Sequence, residues 1–204
     1  MFIDIHVHGS AVPLAPRNGK PVLATPEQLL ELYAAIGVEA AALLPIVSPE
    51  CFIEPQSNGE ILQVAARYPD RFIPFCCVDP RAMTNSVDAP LGDLLSFYRD
   101  QGCKGVGEVV ANLPFLHPLV QNLFRHTERV GLPLTFHLAP QIGGLYGLYD
   151  DPGLPQLEFS LATFPKLVFL AHSQTFWAEI ARLGATVTEM AVRLMLVEGK
   201  GGWG

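Results

Sequence analysis

The chain has 204 residues, with 13 Lys and Arg against 20 Asp and Glu, a formal net charge of −7. Half of it is hydrophobic and 16% is charged, which excludes a disordered chain. With no basic stripe to neutralise phosphates, it also argues against a nucleic-acid partner. No apolar run reaches the roughly 18 residues of a membrane span, and no basic stretch followed by an apolar run opens the chain as a secretory leader would. Cys51, Cys76, Cys77 and Cys103 have no disulfide-framework spacing and read as reduced core residues. The expectation is a cytoplasmic protein with no membrane or nucleic-acid partner.

In chain order, the first apolar run, Phe2–Val7, predicts a strand. Thr25-Pro26-Glu27-Gln28 is a capping box with proline at the first helical position. The helix it opens carries Leu29, Leu30, Leu32, Tyr33 and Ile36 and ends at Gly37. A second strand follows at Ala40–Val47, and Ser57-Asn58-Gly59-Glu60 repeats the box before Ile61, Leu62, Val64 and Ala65. The third strand is Phe72–Val78, with Asp79-Pro80-Arg81 as the turn leaving it. Pro90 opens a third helix that stops near Gly102. The fourth strand is Gly105–Val110. His117 caps a fourth helix from Pro118 to Val130, in which His126 lies off the apolar face and reads as a surface residue. The fifth strand is Leu132–Leu138. A long connection, Ala139–Pro155, holds Tyr146 and Tyr149 and is a candidate pocket wall. A fifth helix at Leu157–Thr163 and a sixth strand at Leu167–Ala171 complete the pattern.

Strands that are apolar throughout and alternate with helices predict a parallel sheet buried on both faces. The strand starts average (167 − 2)/5 = 33 residues apart. Eight such units would need about 264 residues, the size of a (β/α)₈ barrel. No glycine-rich phosphate loop follows any strand, which weakens the doubly wound nucleotide-binding alternative.

Sites on parallel sheets form where the strands end, and these strands end in histidines. His6 and His8 stand two apart on the first strand, so both imidazoles project from one face. His137 ends the fifth strand and His172 follows the sixth. Neutral imidazole suits zinc and related metals, so His6, His8 and His137 are candidate ligands of a divalent ion, zinc first among them. His172 is either a further ligand or the general acid/base, since imidazole titrates near neutrality. Glu108, in an apolar strand end, must be paired, protonated or metal-bound. It is a candidate ligand, bridge or orienting partner of a histidine.

Phe2-Ile3-Asp4-Ile5-His6-Val7-His8-Gly9 resembles the opening strand of the amidohydrolase superfamily. Residues Asn58 to Pro80, with Tyr68-Pro69-Asp70-Arg71-Phe72-Ile73-Pro74-Phe75 and Val78-Asp79-Pro80-Arg81, resemble its amidohydrolase-related branch. That branch includes the aminocarboxymuconate-semialdehyde decarboxylase relatives. Gly105-Val106-Gly107-Glu108, His137 and His172 continue the pattern in order. The resemblance implies an α/β protein of (β/α)₈ TIM-barrel type, with only about six β/α units in this chain. It implies His6, His8 and His137 as metal ligands and His172 as a second-metal ligand or a residue acting on substrate and water. The family's final-strand aspartate has no counterpart: Glu179, Glu189 and Glu198 are the only acids after His172, and none ends a recognisable strand.

The expected function is a metal-dependent hydrolase acting on a small amide, lactone, ester or cyclic carboxylate. A non-oxidative decarboxylase on the same scaffold and an inactive truncated chain are the alternatives. Residues 1–204 read as one barrel domain, incomplete at its C-terminus, from a protein of roughly 260–330 residues. Its first and sixth strands would be open edges through which it could associate as a homo-oligomer. Its remaining partner is the small-molecule substrate.

Overall fold

The computed structural model describes residues 2–50, 54–139, 146–183 and 194–196. In chain order the elements are β1 (Phe2–Val7), α1 (Pro26–Ile36), β2 (Val38–Leu43), α2 (Asn58–Arg67), β3 (Phe72–Pro74), α3 (Leu91–Asp100), β4 (Val106–Val109) and β5 (Ala111–Pro114). They continue with α4 (Pro118–Val130), β6 (Leu134–Ala139), β7 (Gly147–Tyr149), α5 (Pro155–Thr163), β8 (Phe169–His172), α6 (Gln174–Leu183) and β9 (Leu194–Leu196).

Every strand pairing is parallel. β1, β2 and β3 form one ladder, and β4, β6, β8 and β9 another. Beyond β3 the two join through a bridge between Cys76 and Val106, with Cys76 N–H donating to the Gly105 carbonyl at 3.0 Å and Gly107 N–H to Cys76 at 2.7 Å. The result is a curved parallel arc in the order β1-β2-β3-β4-β6-β8-β9, with helices outside, as barrel geometry requires.

Helix starts follow the local signals. Thr25 accepts from Gln28 N–H while the Gln28 side chain accepts from Thr25 N–H, closing the predicted box. At Ser57 only half a box forms. Its hydroxyl accepts from Glu60 N–H at 3.1 Å, but the Glu60 carboxylate instead accepts from Ala11 N–H at 2.8 Å and Ser10 Oγ at 3.2 Å. It thereby ties the loop after β1 to α2. His117 caps α4 as predicted, its Nδ1 accepting from Leu119 N–H.

Three expectations are corrected. The chain after His172 is not without sheet: α6 and β9 follow, and β9 pairs with β8 along Phe169–Ala171, which covers the predicted edge. A strand of three residues, Leu194–Leu196, is too short to announce itself by periodicity. The stretch 139–155 is not simply a loop, since β7 lies within it and pairs with both β5 and β6. His126 is half-buried, its ring over Gly92 of α3, where a Cβ would come within 2.7 Å of Nδ1. Burial lowers its pKa.

The core lies in two layers. Outside the arc, Phe115, Phe124, Phe136, Phe169 and Phe176 pack edge-to-face or tilted beneath α4 to α6. Leu29, Tyr33, Ile61, Val64 and Phe72 fill the corresponding layer under α1 and α2. Inside, Ala42, Leu44, Phe75 and Leu170 meet, with Ile5 and Ile73 against them. Cys76, Cys77 and Cys103 are buried, as expected of core thiols; Cys51 lies outside the described residues, as do Glu189 and Glu198. Among the described residues no helix is long and apolar enough to cross a membrane.

Candidate metal centre

Five side chains from four strand ends converge inside the arc. Glu108, at β4, is fully buried. Its Oε2 lies 3.0 Å from His8 Nε2 and its Oε1 lies 3.2 Å from His137 Nδ1 and 3.7 Å from His6 Nε2. Oε1 is also hydrogen-bonded to His172 Nε2. The histidine side chains remain 10–21% exposed, so the centre is reached by solvent although its carboxylate is buried. The structure thus brings together His6, His8, Glu108, His137 and His172.

Each is placed by a local device. His137 and His172 sit opposite each other in the β6–β8 register, which brings Nδ1 of the first within 3.2 Å of Nε2 of the second. Glu108 follows Gly107, whose φ of +135° is open to glycine and whose absent Cβ would lie 2.5 Å from the Thr135 carbonyl oxygen. Close strand approach there requires glycine.

His6 and His8 depend on an irregularity. The β1–β2 register pairs Asp4 with Ala41 but Val7 with Leu43, so Ile5 and His6 together face one residue of β2. This is a β-bulge. It reverses side-chain parity along β1. Ile5 points inward to Ala42, Leu44, Phe75 and Leu170, and after the bulge His6 and His8 point inward too. Val7 packs outward against the Leu29 and Tyr33 layer. Asp4 faces the same outer layer, where its Oδ2 accepts from Tyr33 O–H at 2.8 Å. Its Oδ1 accepts from His6 N–H at 3.0 Å.

The donor set fits a divalent cation. His8 Nδ1 lies 2.8 Å from the Leu44 carbonyl oxygen, which fixes the proton on Nδ1 and aims the Nε2 lone pair inward. That lone pair then faces the Glu108 carboxylate, two acceptors that only a cation or a proton reconciles. Nitrogen and oxygen ligands about 2.0–2.2 Å from one zinc ion in a tetrahedron stand roughly 3.3–3.6 Å apart. His6, His8 and Glu108 form one such cluster, and Glu108, His137 and His172 a second sharing the same carboxylate.

The electrostatics agree. Burial opposes ionisation of Glu108, yet the potential of His6 and hydrogen bonds from His137, His172 and His8 outweigh it and hold its carboxyl well below the usual range. Burial also keeps the His6 imidazole well below its ordinary pKa, so it is unprotonated at neutral pH. At His8 burial is overcome by the bond and charge of Glu108, and its pKa rises. Buried Tyr33, bonded to Asp4, has its phenol pKa raised.

Sequence reasoning did not single out Asp4 or Tyr33, which are bonded to each other and, through Asp4, to the His6 amide; the signal was Asp4 two residues before His6. Tyr146, foreseen as a pocket wall, stacks on His137 with ring centroids 4.2 Å apart, and its hydroxyl is 3.5 Å from Glu108 Oε2. Residues 140–145 of that wall lie outside the described residues. Arg81, in its predicted turn, is held by Asp79 and Glu50 at 3.3 and 3.2 Å. Glu179 donates nothing to the centre: it accepts from Gly153 N–H and pairs with Arg182.

No protein-family model matches the chain, and no curated protein matches it. Solved structures do. A TIM-barrel protein from Bordetella bronchiseptica superposes with a TM-score of 0.64 at 19% identity, covering 84% of this chain and 58% of its own. A probable 2-pyrone-4,6-dicarboxylic acid hydrolase from Acinetobacter baumannii, with citric acid bound, gives 0.55 at 17% identity over 96% of this chain and 82% of its own. A 5-carboxyvanillate decarboxylase from Novosphingobium aromaticivorans, complexed with manganese and 4-hydroxy-3-methoxy-5-nitrobenzoic acid, gives 0.54 at 17% identity over 87% and 59%. The chain thus spans 58% of the length of the Bordetella protein. At these identities the likeness is one of fold, and the fold of this chain is an α/β arc of the (β/α)₈ TIM-barrel type.

Proposed function

We propose that the chain carries a divalent-metal centre of amidohydrolase type and serves a metal-dependent hydrolase acting on a small amide, lactone, ester or cyclic carboxylate. The observation behind this reading is the sharing of one buried carboxylate, Glu108, by two His-rich clusters at the strand ends. The sequence motifs around His6, His8, Glu108, His137 and His172 support it, as does the fold shared with the pyrone dicarboxylic acid hydrolase. Zinc, the usual ion of such nitrogen-rich sets, is the first candidate, with manganese, present in the decarboxylase neighbour, the second.

His6, His8 and His137 with Glu108 would hold the ion. When bound, such an ion polarises a substrate carbonyl and lowers the pKa of water. The protein supplies the rest. His8 is locked by Leu44 in the tautomer that leaves Nε2 free. Glu108 stays ionised and keeps four imidazoles facing one another. His172, bonded to Glu108 through Nε2 and part-exposed, would accept a proton from water and return it to the leaving group. Tyr146 screens one face of His137 from solvent.

A decarboxylase is the second reading, favoured by the fold shared with the carboxyvanillate enzyme. There His172 would deliver its proton to the substrate carbon. The deciding experiment loads the chain with zinc and with manganese and measures hydrolysis of lactones, esters and amides beside CO₂ release from hydroxylated aromatic acids. Metal-dependent hydrolysis supports the first reading and CO₂ release the second. Absence of metal binding by elemental analysis refutes both.

A further inference from the structure

Two metal-facing imidazoles on one strand are held in contrasting ways. His8 is anchored through its ring, with Nδ1 bonded to the Leu44 carbonyl. The other nitrogen of His6, Nδ1, is buried with no hydrogen-bond partner among the described residues. A ligating histidine ordinarily donates its second ring nitrogen to an orienting group. The aim of His6 must therefore come from its backbone.

That backbone is the bulge. In a regular strand, side chains alternate, so with Ile3 and Ile5 inside, Val7 would follow and both histidines would point outward. One extra residue reverses this, but it leaves an amide outside the ladder. The His6 N–H is that amide, and Asp4 Oδ1 takes it at 3.0 Å. Asp4 is in turn held from α1 by the buried Tyr33 hydroxyl at 2.8 Å. Without the carboxylate the amide is orphaned near the core, a loss of the kind that favours flattening the bulge. A one-residue slip would carry His6 to the outer face.

We propose that Asp4, braced by Tyr33, is a positioning residue that sets metal affinity by fixing the parity-reversing bulge of β1. This rests on the reading that His6, His8 and Glu108 hold a divalent ion. Neither residue touches the ion: Asp4 acts through the His6 amide, and Tyr33 through Asp4.

The test uses the full chain, stripped of metal and titrated with Co²⁺, followed by visible absorption and by equilibrium dialysis. Orienting groups of this kind change metal affinity by about 10–100-fold. Tyr33→Phe, which removes one hydroxyl, is expected to weaken binding about 10-fold, and Asp4→Ala about 100-fold. Both should alter the Co²⁺ absorption band as His6 leaves the ion. Asp4→Asn, whose Oδ1 still accepts from the amide, should restore affinity to within a few-fold of the parent. Should Asp4→Ala fail to fold, Tyr33→Phe and Asp4→Asn decide. Parental affinity and spectrum in Tyr33→Phe overturn the proposal while leaving the metal reading intact. So does equal weakening in Asp4→Asn and Asp4→Ala, which would assign the effect to charge. A parent chain that binds no Co²⁺ overturns the metal reading itself, and the proposal with it.

Discussion

The inner face of the arc has two ends, built from the same strands. At the carboxyl ends, His6, His8, Glu108, His137 and His172 crowd together around one fully buried carboxylate. Toward the amino ends, Ile3, Ile5, Ala42, Ile73, Phe75, Val168 and Leu170 line an apolar cavity of about 530 Å³, with Lys104 and Lys166 also in its wall. The first end packs ligand atoms at hydrogen-bond distance and balances buried charge with bonds. The second is an apolar lining in which Ala42, Phe75 and Leu170 are buried while Ile3 and Val168 stay exposed. A bulge in β1 divides them, since Ile3 and Ile5 belong to the cavity and His6 and His8 to the charged centre.

If the two ends are separable, substitutions at one should leave the other's property intact. The largest effect is expected from Glu108→Gln. It removes the only carboxylate in both ligand clusters, so bound zinc should be lost outright, as elemental analysis after dialysis would show. Retention of a full equivalent would mean the histidines suffice. Next in size is Phe75→Ala at the apolar end. Phe75 is buried, and such truncations cost about 3–5 kcal/mol. Urea unfolding should register that loss, with metal stoichiometry in the folded protein unchanged.

Gly105→Ala probes the same end from the opposite direction. A Cβ there would lie 2.3 Å from the Phe75 ring, and overpacking of this kind costs about 1–3 kcal/mol. Denaturant midpoints at or above the parent's would show that the ring moves aside freely. The smallest effect is expected from pH, and it should be confined to the charged end. Glu108 raises the pKa of His8 against burial, so the metal-free centre retains that proton to higher pH than an ordinary imidazole. A metal ion must displace it. Zinc affinity should therefore rise with pH through the raised His8 pKa and then level off, by about tenfold per pH unit for each imidazole titrating. His6, kept unprotonated by burial, adds nothing to this slope near neutrality. Zinc titrations from about pH 6 to about pH 8 test it, and a flat profile would place another residue's nitrogen at the ion.

The sequence by itself determined the alternation of apolar runs with capped helices, because strand burial on both faces and helix-end chemistry are local properties. Thr25, Pro118 and His117 stand where their side-chain chemistry says a helix begins. It also determined which residues would meet, because parallel strands align their carboxyl ends, so histidines at three such ends and Glu108 at a fourth had one place to go. Three things needed the tertiary structure. The run Ile3-Asp4-Ile5-His6-Val7-His8 alternates with period two, and nothing local announces the bulge after Asp4 that turns His6 inward. The Glu60 carboxylate had two competing partners and took the one across the fold, at Ala11. β9 exists because β8 offers it an edge to pair with, a stabilisation that three residues cannot encode alone. Local chemistry therefore fixed where elements start and which groups carry function, while register and competition among partners, both long-range, decided how those groups are aimed.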